Sequence, residues 1–198
     1  KRVSKKAGVE KYLRSFSSKI AQIEGQQSDL VNHVVVVGAG AVGFPLAKEL
    51  SKNNGVVVVD HDVDAVYNSR KHGLNSLYGS ADNLEVFHKA NVSKAKAIVL
   101  AIPDFSSAVF LAKFAKKENP SIAVFGRAHY YSQTLALYEA GADFVVMPHV
   151  IGSEVFLQNI SSFLTTGKTL NLQNVDSEYL RFVREQAWAE KSRGGLPV

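Results

Sequence analysis

The stretch from His33 to Asp60, HVVVVGAGAVGFPLAKELSKNNGVVVVD, constrains this chain more than any other. Val34 to Val37 are four β-branched residues with no polar alternation, which predicts a strand buried on both faces, as in a parallel sheet. A G-x-G-x-x-G turn follows at once as Gly38-Ala39-Gly40-Ala41-Val42-Gly43. Its first glycine permits a tight turn, its second lets the backbone approach a pyrophosphate, and its third lets the next helix lie close to the strand. N–H groups at that helix start, with the helix dipole, face an anion. Pro45 fits only if it falls in the first helical turn, where its missing N–H leaves no bond unmade. Asn53-Asn54-Gly55 is the predicted stop. A second buried strand, Val56 to Val59, ends in Asp60, 22 positions after Gly38. A carboxylate there accepts hydrogen bonds from ribose hydroxyls and repels a 2′-phosphate, so NAD(H) or another adenine nucleotide is favoured over NADP(H).

A chain of 198 residues, 46% hydrophobic, buries one good core but is short for a dinucleotide domain plus a full substrate domain. No run of about 18 apolar residues is present, and no signal peptide is visible. The absence of cysteine excludes disulfides, thiol catalysis and cysteine-ligated zinc. The chain begins at Lys1 without methionine, as a fragment of something larger would. Its net charge of +5 resembles a nucleic-acid signal until it is located: seven basic residues against one acid lie within residues 1–20, and the remainder is near neutral. Within this leader Val9, Tyr12, Leu13, Phe16, Ile20 and Ile23 fall at helical spacings. A basic amphipathic segment suits an anionic bilayer surface, a solvated linker or a nucleic-acid tail. Gly25 and the residues after it form its hinge into the first strand.

Beyond Asp60 the pattern alternates. Helices are predicted over 62–72, 83–90, 104–117, 131–140 and 150–164, and strands over 74–78, 95–102, 122–125 and 143–147. This is a Rossmann-like α/β fold, a doubly wound parallel six-stranded sheet with right-handed crossovers. Ligands of such sheets bind outside the carboxyl ends of the strands.

Those strand ends carry a resemblance. GAGAVG, VVVVD, YGSADN, AIPDF, NPSIAVFGRAH and AGADFVVMPHVIG, in this order over residues 33–166, resemble the N-terminal RCK (TrkA-N) domain. The likeness is strongest to the version fused to Kef-type cation/proton antiporters; RCK domains also serve K⁺ channels. It implies a cytosolic regulatory domain that gates K⁺ or cation/proton transport by binding NAD(H), AMP, ADP or ATP. It further implies a membrane transporter or channel domain on the same polypeptide, tethering to the cytoplasmic side of the cell membrane, a homodimer or higher ring, and no nucleic-acid partner. Residues 1–32 become the linker leaving the membrane domain, and 33–166 the Rossmann domain. Residues 167–198 become a C-terminal extension without the full C-terminal lobe of the family, with one predicted helix over 176–191 and a tail over 193–198. The glycines match the phosphate turn and Asp60 the ribose acid. Family members often carry G-D-A-x-D after the third strand; here Gly79-Ser80-Ala81-Asp82-Asn83 replaces the first acid by serine and places Asp82 one position early. Arg127 matches the arginine of the family's R-A-H stretch, placed to meet phosphate charge. The expected cofactor contacts are Gly38, Gly40, Ala41, Val42, Gly43, Asp60, His61, Ser80, Ala81, Asp82, Ala101, Ile102, Pro103 and Arg127, with no catalytic or metal-ligating residue.

Other constellations are weaker. Tyr67 and Lys71 share the spacing of the short-chain dehydrogenase pair, but follow the second strand, where a solvated helix face is expected. Asp60, Asp62 and Asp64 mimic the start of a calcium loop without its glycine and closing glutamate. His129 and His149 follow late strands that converge on one region; with no carboxylate at zincin spacing, polar contacts or interface roles are favoured over metal binding. His33, His72 and His88 read as surface. Phe105, Phe110 and Phe114 read as helix core or partner surface. Phe156, Ile160, Phe163 and Leu164 form a stripe on the last helix for which core packing is favoured over dimerisation. The rival functions are a small NAD-dependent oxidoreductase and a DNA-binding redox sensor, the latter without any helix-turn-helix element.

Overall fold

The computed structural model describes residues 28–169. The basic leader up to residue 27, the predicted helix over 176–191 and the tail over 193–198 lie outside the described residues. Six strands alternate with helices: β1 (Val34–Val37), α1 (Gly43–Leu50), β2 (Val56–Asp60), α2 (Val63–Lys71), β3 (Asn75–Tyr78), α3 (Leu84–Lys89), β4 (Ala97–Leu100), α4 (Phe105–Glu118), β5 (Ala123–Arg127), α5 (Tyr131–Glu139), β6 (Phe144–Val146) and α6 (Pro148–Thr166). A 3₁₀ turn, Val92–Lys94, joins α3 to β4.

All strands are parallel, in the order β3-β2-β1-β4-β5-β6. The order reverses between β1 and β4, so the crevice for a ligand opens above Val37 and Leu100, which are register partners. The valine runs are buried on both faces, as their lack of alternation requires. Val35, Val37, Val57, Ile98 and Leu100 face a core completed by Phe87, Leu111, Ile122 and Leu137. Val34, Val36, Val56 and Val58 face a smaller cluster with Phe44, Ala47 and Leu74.

The element ends differ from the sequence reading where partner strands or caps decide them. β4 is shorter than 95–102 because its register with β1 runs only from Val34↔Ala97 to Val37↔Leu100. The last helix starts two residues before the predicted 150, with Pro148 at its N-terminus, where proline's fixed φ suits the first turn. A larger correction concerns what this helix does. None of the 19 residues of α6 is buried, and Phe156 (72%) and Leu164 (78%) stand largely in solvent. No described residue covers the apolar stripe expected to pack in the core. His33, expected at the surface, is fully buried: its Nε2 lies 2.8 Å from the Ala90 carbonyl oxygen. His88 is exposed as expected, and the His72 ring packs edge-on against Phe44. Phe114 is core, whereas Phe110 is exposed.

Candidate functional site: a glycine turn bridged to a strand-end acid

The site is built at the carboxyl ends of β1, β2, β3 and β4. Gly38 adopts φ +96°, a left-handed conformation that side chains disfavour, and a Cβ there would press on Ile102 and the Ala101 backbone at 3.1–3.2 Å. Gly43 opens α1 against the back of the turn, where a methyl group would collide with the Gly38 carbonyl oxygen. Gly40 is different: a Cβ on it would meet no protein atom within 4 Å. The first and third glycines are therefore demanded by the fold. The second faces outward, where an approaching phosphate would set the limit. α1 has Val42 at its N-cap and no side-chain cap. No side chain competes with an external anion for the first-turn N–H groups. Pro45 is the third residue of α1, inside the first turn as its chemistry requires.

Asp60 reaches across to this turn. Its Oδ2 accepts the Ala39 N–H at 2.5 Å and its Oδ1 accepts the Asp62 N–H at 2.8 Å. The His61 Nδ1 lies 3.4 Å from Oδ1, with the His61 ring largely in solvent. A carboxylate offers about four lone-pair sites, so these two amides do not exhaust its capacity to accept hydrogen bonds. Ala39 was not among the expected site residues. Its amide, held between two glycines, is what ties the acid to the phosphate turn. The Gly38 N–H donates to the Val59 carbonyl (2.8 Å), Gly79 to Asp60 (2.9 Å) and Ala101 to Val37 (2.8 Å), so the ends of four strands are bonded side by side.

The other expected residues divide. Ala101, Ile102 and Pro103 border the crevice beyond β4, with Ile102 against Gly38. Ser80, Ala81 and Asp82 form the turn after β3; the Ser80 hydroxyl and a backbone N–H hold the exposed Asp82 carboxyl below its usual range. Arg127 lines an apolar groove that Val42 of the turn also borders. It ends β5 with Nη2 3.3 Å from His129 Nε2, while His129 Nδ1 and His149 Nε2 are 2.6 Å apart. The sequence signal that the two histidines approach one place holds, and Arg127 joins them. Asp62 and Asp64 do not converge with Asp60 on one point: Asp62 caps α2 by accepting the Asp64 N–H at 2.8 Å. The Lys71 ammonium lies 5.1 Å over the Tyr67 ring on α2.

Residues 34–148, more than half of the chain, match the TrkA-N domain family. The chain belongs to that family. Relatives of this TrkA-N chain include YbaL of Escherichia coli, 33% identical over 120 residues, 60% of this chain and 22% of YbaL. Potassium channel protein 1 of Methanocaldococcus jannaschii is 31% identical over 62% of this chain and 38% of its own length. The glutathione-regulated potassium-efflux system protein KefC of Salmonella is 31% identical over 66% and 21%. The chain thus spans between a fifth and two fifths of these relatives. Among solved structures, the TrkA-N domain of the E. coli inner membrane protein YbaL superposes with a TM-score of 0.63 at 31% identity, covering 66% of this chain and 97% of that domain. The Kef C-terminal domain of Shewanella denitrificans bound to AMP shares the fold at 18% identity (TM-score 0.56; 83% and 96% covered). The GsuK channel bound to NAD does so at 21% (0.55; 62% and 23%). Among the described residues no helix is long and apolar enough to cross a membrane.

Proposed function

We propose that this TrkA-N domain is a regulatory sensor of NAD(H) or an adenine mononucleotide, and not an enzyme. In this reading it sits on the cytoplasmic side of a membrane, fused to a K⁺ channel or cation/proton antiporter. The observation that most supports the reading is the bond from Ala39 to Asp60, which joins the strand-end acid to the glycine turn as a shared ribose and phosphate site would require. Relatives named as a potassium channel and a potassium-efflux protein, and folds solved with AMP and NAD, support the same reading. Residues 33–166 are the sensor, 1–32 its linker from the membrane part, and 167–198 an extension.

A ligand biases transport only if it binds one arrangement of the assembly more tightly than another. The arrangement proposed is a homodimer. The sheet face over β4, β5 and β6 on the α1 side is open, leaving an apolar groove of about 320 Å³ lined by Leu46, Val99, Phe125 and Phe144. The helix that would cover it in a closed sheet, α6, has no buried residue among those described. A second copy supplies the match: α6 of each lies on the other's groove.

Calorimetry with AMP, NAD and inorganic diphosphate tests the sensor reading. The wild-type chain is expected to bind both nucleotides. Asp60→Ala is expected to weaken AMP and NAD about tenfold or more and diphosphate by less, since the turn loses its tie for every ligand but only the nucleotides bring a ribose. Equal losses for all three would remove the ribose role. Sustained turnover of NADH with carbonyl substrates would replace the sensor by an oxidoreductase.

A further inference from the structure

The short helix α3 connects two places that have no other reason to be joined. Its front end belongs to the candidate site. Asn83, the last residue of the turn after β3, caps it by accepting the Glu85 N–H at 3.1 Å. Gly79, at the head of that turn, is pressed against α3 so closely that a Cβ would lie 2.8 Å from the Val86 side chain. A shift of the turn cannot be absorbed at that contact, because packed interiors transmit displacement.

The back end of α3 holds the segment that leads into β1. The Ser28 N–H donates to the Lys89 carbonyl at 2.8 Å, and the Asn32 N–H to the Lys94 carbonyl at 2.9 Å. The Asn91 amide donates to the Leu30 carbonyl at 2.9 Å. His33 Nε2 bonds the Ala90 carbonyl at 2.8 Å, with its ring fully buried. Ser28, Leu30, Asn32 and His33 are each tied to a residue between 89 and 94. Asn91 and Asn32 are also the two non-glycine residues with positive φ among those described, at 56° and 52°. Asparagine tolerates that conformation better than most residues, so the chain turns through one left-handed residue on each side of the junction.

We propose that α3 and the 3₁₀ turn behind it are a strut that carries the state of the nucleotide site to residues 28–33, and so to the linker before them. The strut rests on the nucleotide reading and adds the route by which binding is felt. Ligand contact with Ser80, Ala81 or Asp82 moves Asn83 and Gly79, α3 moves as a rigid piece, and the strap turns about Asn32 relative to β1. Two sites joined through one rigid element in this way share a coupling free energy.

The test is hydrogen exchange on the whole 198-residue chain with and without AMP, with affinity followed separately by calorimetry. In the wild-type chain AMP should slow exchange at residues 79–83 and at the Ser28 and Asn32 amides, the latter by about fivefold or more, the lower end of ordinary coupling. Asn91→Gly keeps the left-handed conformation and removes the bond to Leu30. It should leave AMP affinity within about twofold and the response of 79–83 intact, while at least halving the response of the strap. His33→Phe, which removes the bond to Ala90, should do the same. Binding with a protected 79–83 turn and an unaltered strap would overturn the strut alone. A strap response that survives in both variants would also overturn it. Absence of AMP binding in calorimetry would overturn the nucleotide reading first, and the strut with it.

Discussion

Around β1 and β2 all eight valines are buried by the chain itself, whereas around β5 and β6 one face is left open, with Phe125 and Phe144 exposed beside the apolar groove. Both regions have the same parallel ladder and comparable apolar content. They differ in where the covering helix lies. α1 turns back at once over β1 and β2, because Gly38 and Gly43 let it fold tightly onto the strand. α6 leaves β6 through Met147 and Pro148 and buries nothing. Closure within one chain makes the first region rigid enough to hold a cradle. Incomplete closure leaves the second as the surface on which the proposed homodimer would form.

The sharpest way to break the contrast is at the closed side. Gly43→Val should cost about 3 kcal/mol or more, since the added atoms meet a fixed carbonyl and no flexible side chain yields. A denaturant titration reads this, and an unchanged midpoint would mean that α1 is not clamped to the turn. The open side predicts the reverse. Phe163→Asp should leave the stability of the monomer within about 0.5 kcal/mol, because Phe163 is exposed in the single chain. It should weaken self-association by about 4 kcal/mol, roughly a thousandfold, because a symmetric dimer loses this large apolar side chain twice. Sedimentation equilibrium gives both states; loss of folding instead of loss of dimer would place α6 in the monomer's core.

The sequence carried the closed side well for a physical reason. Val34–Val37 and Val56–Asp60 have both faces covered, so a run without alternation could mean one thing, and the glycine spacing named the turn between them. It failed on α6 because periodicity reports that a face is apolar and is silent on which chain covers it. It failed on His33 because a lone polar residue before a strand reads as surface; the Ala90 carbonyl that receives it lies 57 positions away. Asp60 was placed at its strand end, but its bond to Ala39 needed three-dimensional geometry, since 21 residues separate them. Arg127 stands at the end of β5 as the strand pattern implied, and its contact with His129 is set by side-chain conformation.

A smaller effect separates the glycines from one another. Gly40→Val should leave stability within about 0.5 kcal/mol, as no protein atom opposes the side chain, yet reduce AMP affinity by at least about tenfold. Unchanged affinity in calorimetry would put the phosphate elsewhere. The smallest effect concerns pH. Burial pushes the His33 imidazole below its ordinary value, partly offset by the Ala90 carbonyl. Above 6.5 the ring is neutral in both folded and unfolded chains, and it adds no slope. As pH falls below 6.5 the unfolded chain takes up the proton first, so stability declines until the folded-state value is passed. Unfolding midpoints of wild-type and His33→Phe chains between pH 7 and 5 should diverge in slope by less than one proton; parallel lines would mean that His33 is not held neutral.

A crystal structure of the chain grown with saturating AMP tests the central claim most directly. The phosphate is expected against the backbone amides of residues 39–43 with the ribose hydroxyls on Asp60. AMP lodged in the groove beside Phe125, or a cradle that stays without it at saturation, would contradict the account.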